Sequence, residues 1–200
     1  MLNIGYDEDS TDSGDWLPYV KFNAQVGRWY KKTDDGDKEV ENFQAIVDFD
    51  NIQTGWLMFK DNAPYWTPDD DISTTAERPH EDCKRGFKVH VYAKKQLDGV
   101  RSLMANANAF TNAIKAIYAE YEESGKAGDG QLPVVKCTGV TSITGKNGTN
   151  YAPKLEITKW VKRPSEDDLP ILSGGNSTPA PAPVTNTASD AIGELEDEFV

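Results

Sequence analysis

Phe87-Lys-Val-His-Val-Tyr-Ala93 (FKVHVYA) alternates strictly: Phe87, Val89, Val91 and Ala93 fall on one side, Lys88, His90 and Tyr92 on the other. A period of two is a strand with one buried face, and here the other face is basic and aromatic. From Asp98 the period changes. Leu103, Ala107, Phe110, Ile114, Ile117, Tyr118 and Tyr121 recur at spacings of three and four, and Gly125 follows, which predicts one amphipathic helix.

Upstream, WLPYVKFNAQVGRWYKK (16–32) is rich in aromatic and β-branched residues, with Gly27 where a long strand would bend. It reads as one long, curved first strand. TDDGDK (33–38) is a turn signal, and Phe43, Ala45, Val47 and Phe49 alternate as a second strand, so the two predict a hairpin. Residues 50–82 are rich in Pro, Asp and Thr and read as an excursion carrying one extra strand. Downstream of the helix, 134–144 and 155–161 are strand-like around GKNG (145–148), whose Asn-Gly pair favours a tight hairpin turn. The predicted order is strand, strand, strand, helix, strand, strand. That is the order of a five-stranded Greek-key barrel of the oligonucleotide/oligosaccharide-binding (OB) type, mainly β with one helix between its third and fourth strands.

The formal charge of −12 looks hostile to nucleic acid, which binds through cations. The average conceals an asymmetry. Residues 166–200 carry eight acids and no Lys or Arg, residues 1–15 carry five acids and no base, and the remainder holds 21 bases against 20 acids. A near-neutral body still presents a basic groove if its charges segregate by face. The chain divides into four segments: an acidic N-terminal segment (1–15), the OB-type domain (16–163), a Pro/Ala/Ser/Thr linker (164–189) and an acidic tip (190–200). The N-terminus has neither a basic start nor an apolar signal core, so the expected location is cytoplasmic. Two cysteines, Cys83 and Cys137, are too few for a disulfide framework.

Sequence-tolerant binding of single strands needs aromatic faces on which bases stack, lined by cations that follow the phosphates. Candidate groups are Arg28, Trp29, Tyr30, Lys31 and Lys32; Lys84, Arg85, Lys88, Tyr92, Lys94 and Lys95; and Lys154, Trp160 and Lys162, with Arg163 beside them. Trp56, Phe59, Lys60, Tyr65 and Trp66 in the excursion, and Lys146 and Tyr151 around the last hairpin, extend the set. Trp29 and Tyr30 are neighbours, so at least one faces outward. For Trp160, alternation sets Lys154, Thr158 and Lys162 on its side and Leu155, Ile157 and Val161 on the other, which predicts an outward ring.

An OB-like body, a Pro/Ser/Thr linker and the terminal Glu194-Leu195-Glu196-Asp197-Glu198-Phe199-Val200 resemble bacteriophage and bacterial single-stranded DNA-binding proteins. The sequence departs from that pattern in one respect: Val200 follows the aromatic residue, which is terminal in many of those proteins. The resemblance implies a non-enzymatic protein of DNA replication, recombination and repair, in the bacterial host's cytoplasm if phage-encoded. It implies that residues 194–200 compete with DNA and dock replication or recombination proteins, with a homo-oligomer as a further possibility. No cofactor is implied. His80, Cys83, His90 and Cys137 match the ligand count of tetrahedral zinc but no known finger spacing, and Asp69, Asp70 and Asp71 read as a solvated loop rather than a nuclease metal site. Phosphate loops and nucleophile elbows are absent from the sequence. The rival reading is a structural or inhibitory protein-interaction module, a virion component or DNA mimic, whose acidic ends bind a basic partner directly.

Overall fold

The computed structural model describes residues 17–60, 63–145 and 148–164. The chain is mainly β. Its strands are β1 (Tyr19–Asn23), β2 (Arg28–Thr33), β3 (Gly36–Val40), β4 (Gln44–Val47), β5 (Gln53–Lys60), β6 (Ala63–Pro68), β7 (Lys84–Ala93), β8 (Gly99–Ala105), β9 (Gln131–Gly145) and β10 (Gly148–Lys162). A 3-10 turn covers Phe49–Asn51, a short helix α1 covers Lys94–Leu97, and the main helix α2 covers Asn108–Glu123. All ten strands join one sheet along the path β10-β9-β4-β7-β8-β1-β2-β3, while β5 pairs with β7 and carries β6. Every pairing is antiparallel except β1 with β8.

The FKVHVYA stretch lies inside β7, with Phe87, Val89, Val91 and Ala93 buried as its alternation requires. Beyond Ala93 the chain departs from the expectation. The helix begins at Asn108, and Gly99–Ala105 is a strand returning along β7 from Ala93↔Gly99 to Phe87↔Ala105. Asp98 (φ 57°) and Gly99 (φ 111°) reverse the chain there. Leu103 satisfies a helical spacing by coincidence: its separation of four from Ala107 is also even, so a strand period fits equally.

The single curved strand expected over 16–32 is two strands, because Gly27 (φ 68°) closes a turn instead of bending one strand. Its amide donates to the Asn23 carbonyl at 2.8 Å. The hairpin partner of β2 is β3, not the segment 43–49. That segment forms β4, which lies between β7 and β9. The excursion after it contributes two strands, β5 and β6.

The main core gathers the inner residues of the sheet under α2, which buries Phe110, Ile114, Ile117 and Tyr121. Burial of such side chains is worth about 1.5–3 kcal/mol each. Trp29 stacks on Phe43 (centroids 3.9 Å apart, planes at 9°), and Phe110 meets Phe22, Trp29 and Phe87 edge-on or tilted. A second cluster, Ile46, Tyr92, Leu132, Val134 and Val161, occupies the opposite face of β4, β7 and β9.

Candidate nucleic-acid interface

Strand directions decide which candidate residues share a neighbourhood. β1 and β8 run parallel, so Asn23 and Ala105 point the same way, and antiparallel β7 starts at that end. Leu57 pairs with Lys84 there, and the Asn106 amide donates to the Leu57 carbonyl at 2.9 Å. The β5–β6 hairpin therefore projects from the same end as the β1–β2 turn. The β9–β10 hairpin reaches it too: the Tyr151 amide donates to the Ala24 carbonyl at 2.7 Å, and the Tyr151 ring rests on Gly27.

Among the described residues, the β5–β6 hairpin carries the most exposed aromatic rings. Phe59 is 58% and Tyr65 42% exposed, and Lys60 and Lys84 beside them are exposed with no ion pair among the described residues. Met58 opposes Tyr65 and Phe59 opposes Pro64, so the two rings lie on opposite faces of the ribbon. Trp56 is already covered. Its Nε1 donates to the Ala76 carbonyl at 2.7 Å, and the Arg85 and Arg78 guanidiniums lie 5.2 and 5.5 Å from its ring. Trp66 is half-buried, its Nε1 without a partner among the described residues.

Asp69 anchors this hairpin. Its side chain is 1% exposed, and it accepts from both Arg85 terminal nitrogens, the Thr54 hydroxyl and the Ala76 amide. The Arg85 guanidinium, helped by those donors against burial, holds the Asp69 carboxyl well below the usual range. Asp71 caps Ser73, and Asp70 is exposed. Among the described residues no group of three or more His, Cys, Asp or Glu is arranged to hold a metal ion.

The outer half of the β9–β10 hairpin extends beyond its pairing with β4, with Val140 (39%) and Ile143 (46%) exposed. Residues 131–155, which form most of it, contain three lysines, Lys136, Lys146 and Lys154, and no acid. Lys136 and Lys154 are exposed. In a chain with 33 acids such an acid-free stretch is suited to lie beside phosphates, although Glu156 follows it directly opposite Lys136. Lys146 itself lies outside the described residues.

Other candidates are dispersed. Trp29, 4% exposed, packs among Phe22, Phe43 and Phe110 and offers no face to a base; its neighbour Tyr30 points to the opposite side and is half-exposed. Arg28 is exposed but bound to both Glu39 carboxylate oxygens. Lys31 is buried in an ion pair with Asp98 at 2.7 Å. Lys32, Lys94 and Lys95 lie at the far end, exposed, and Tyr92 is buried in the second cluster. Lys88 is half-exposed at mid-sheet. Trp160 faces inward, stacked 5.8 Å from Tyr121 with the Lys126 ammonium 4.8 Å from its ring, while Lys162 is exposed. The physical reason is a bulge between Ile157 and Lys159, which moves Trp160 onto the side of Leu155 and Ile157 and Val161 onto the other. Arg163 binds Asp48 and Asp50 at 2.6 and 2.7 Å. The acidic segments 1–15 and 190–200, with Glu194 to Val200, lie outside the described residues, as does the linker 165–189.

A cleft of about 400 Å³ lies on another side, lined by Asp48, Asp50, Asp69, Asp70 and Asp71 with Lys88 and His90. Its carboxylates would repel a phosphate backbone. Not anticipated from the sequence are Tyr19 and Lys21 on the outer face of β1, both bonded to Asp37, and the packing of Tyr151 on Gly27. The acid-free run over 131–155 is legible in the sequence, as is the one over 83–97. Comparison with protein-family models, curated proteins and solved structures gave no match for this chain.

Proposed function

We propose that the protein binds single-stranded DNA without sequence preference and acts, without catalysis of its own, in DNA replication or recombination. The observation that carries this reading is the path β10-β9-β4-β7-β8 with α2 between β8 and β9. If β4 with β5 counts as one strand, this is the OB order, displaced along the chain from the strands predicted, with β1–β3 added at an edge. OB proteins grip oligonucleotides with their second and third strands and with the loops between the first and second and between the fourth and fifth. Those loops correspond here to the β5–β6 excursion and the β9–β10 hairpin.

Chemistry supports the same surface. Phe59 and Tyr65 supply ring faces for bases on the two faces of the β5–β6 ribbon, and Lys60, Lys84 and Lys154 supply cations for phosphates. The acidic tip is read as competing for this surface and recruiting partner proteins, a role that rests on charge alone.

Fluorescence anisotropy of labelled oligothymidine and a matched duplex, with full-length protein at low and moderate salt, tests the proposal. The expected result is preference for the single strand, weakening with salt, over a footprint of about 4–16 nucleotides. Absence of binding to either at low salt would overturn it and leave the protein-interaction module.

A further inference from the structure

We infer that Gly27 and Tyr151 form a latch that sets the position of the β9–β10 hairpin against the body and thereby shapes the strand-binding surface. This rests on the proposed function. Beyond residues 138 and 154 the hairpin is held to the body through the β1–β2 turn, by the Tyr151 amide on the Ala24 carbonyl and the Tyr151 ring over Gly27. The latch demands glycine twice. Residue 27 has φ 68°, where a side chain is strained, and a Cβ there would sit 3.0 Å from the Tyr151 Cγ. The turn presenting Gly27 is itself fixed, by the Gly27 amide on the Asn23 carbonyl at 2.8 Å and the Gln25 amide on the Asn23 side chain at 2.9 Å.

The consequence is electrostatic. Residues 131–155 of the hairpin carry lysines and no acid, so its placement decides whether Lys154 lies with Lys60 and Lys84 along one phosphate path. Tyr151 is therefore a positioning residue: its ring covers Gly27 rather than a base. A ribbon fixed before binding avoids the ordering cost that a swinging one incurs on association.

The test is a redox pair in one polypeptide. Cβ atoms at 27 and 151 would lie 3.2 Å apart, within a few tenths of an ångström of the roughly 3.5–4.5 Å that a disulfide spans. The Gly27→Cys/Tyr151→Cys variant, reduced, lacks the ring and is expected to bind oligothymidine about tenfold more weakly than the native protein. Its salt slope should be shallower by about 0.7 for each phosphate that the displaced ribbon no longer neutralises. Oxidation with glutathione disulfide should restore both affinity and slope, which a merely structural defect would not allow. The native protein taken through the same cycle controls for Cys83 and Cys137. Tyr151→Ala, which adds no backbone strain, should reproduce the reduced state. If the native protein binds and both the redox forms and Tyr151→Ala bind like it, the latch is refuted and the function stands. A native protein that binds no oligothymidine refutes the function and the latch with it.

Discussion

At the scale of single residues, the groups whose protonation is most disturbed are those that tie one element to another. Asp69 is held far below the ordinary carboxylate value of about 3.9 by Arg85. For Asp37 and Asp50, burial pushes the carboxyl up, but donated hydrogen bonds outweigh it and the net shift is also downward. A lowered native pKa means that the unfolded chain takes up the proton first as pH falls. Their contribution is thus fully present above about pH 4 and is lost below it. Asp69→Asn is expected to cost about 2 kcal/mol at pH 7, less than for a fully buried pair because Arg85 is 37% exposed, and to flatten the acid-side decline in urea titrations.

Tyrosines give the opposite sign. Tyr19 is pushed up to about 12 by burial and by its bond to Asp37, and Tyr121 is raised further by burial and by its bond to Asp50. With native values above the ordinary phenol value of about 10, their contribution is present below that pH and lost as pH rises through the native values. An alkaline titration followed at the phenolate absorbance should show Tyr19 and Tyr121 ionising late among the eight tyrosines, and Tyr19→Phe should remove one late step.

At the scale of elements, two hairpins and one helix have separable roles. Phe59 and Tyr65 contribute little to the core, so Phe59→Ala and Tyr65→Ala should leave the melting temperature nearly unchanged. Each should weaken oligothymidine binding by about 1–3 kcal/mol, the worth of a base stacked on a ring, measured by anisotropy. Phe110 does the reverse. Phe110→Ala empties a site bounded by Phe22, Trp29 and Phe87 and should cost about 3–5 kcal/mol in denaturant titrations. The legibility of elements has the same physical origin. The alternation in β7 is readable because no bulge interrupts its inner row. The inward turn of Trp160 is not, because the bulge between Ile157 and Lys159 is a backbone event that its side-chain pattern does not announce.

At the scale of the whole molecule, β1–β3 and the strands around α2 share one core and are expected to unfold as one unit. Trp29 from β2, Phe43 before β4 and Phe110 from α2 share one core cluster. Thermal or denaturant unfolding of the body should give a single transition, coincident by tryptophan fluorescence and by far-ultraviolet circular dichroism; separate midpoints would show that β1–β3 unfold alone. With pairings as distant as β1 with β8 and β4 with β9, folding is expected in milliseconds to seconds, measured by stopped-flow fluorescence.

Sequence alone determined that the chain is mainly β, that β7 has an apolar inner face, that a helix ends near Gly125, and that the body is near neutral while both ends are acidic. Those properties are local, set by side-chain period and by composition. Only the tertiary structure decided that 16–32 is two strands, that 99–105 is a strand pairing with β7, and that β4 pairs with β7 and β9. It also decided that Trp29, Lys31, Tyr92 and Trp160 are taken up by packing and ion pairs while Phe59 and Tyr65 stay outside. The reason is that an aromatic or a lysine carries the same local signal on either face of a strand. Which face meets the core is fixed by partners distant in sequence and by turns and bulges that shift the register by one residue.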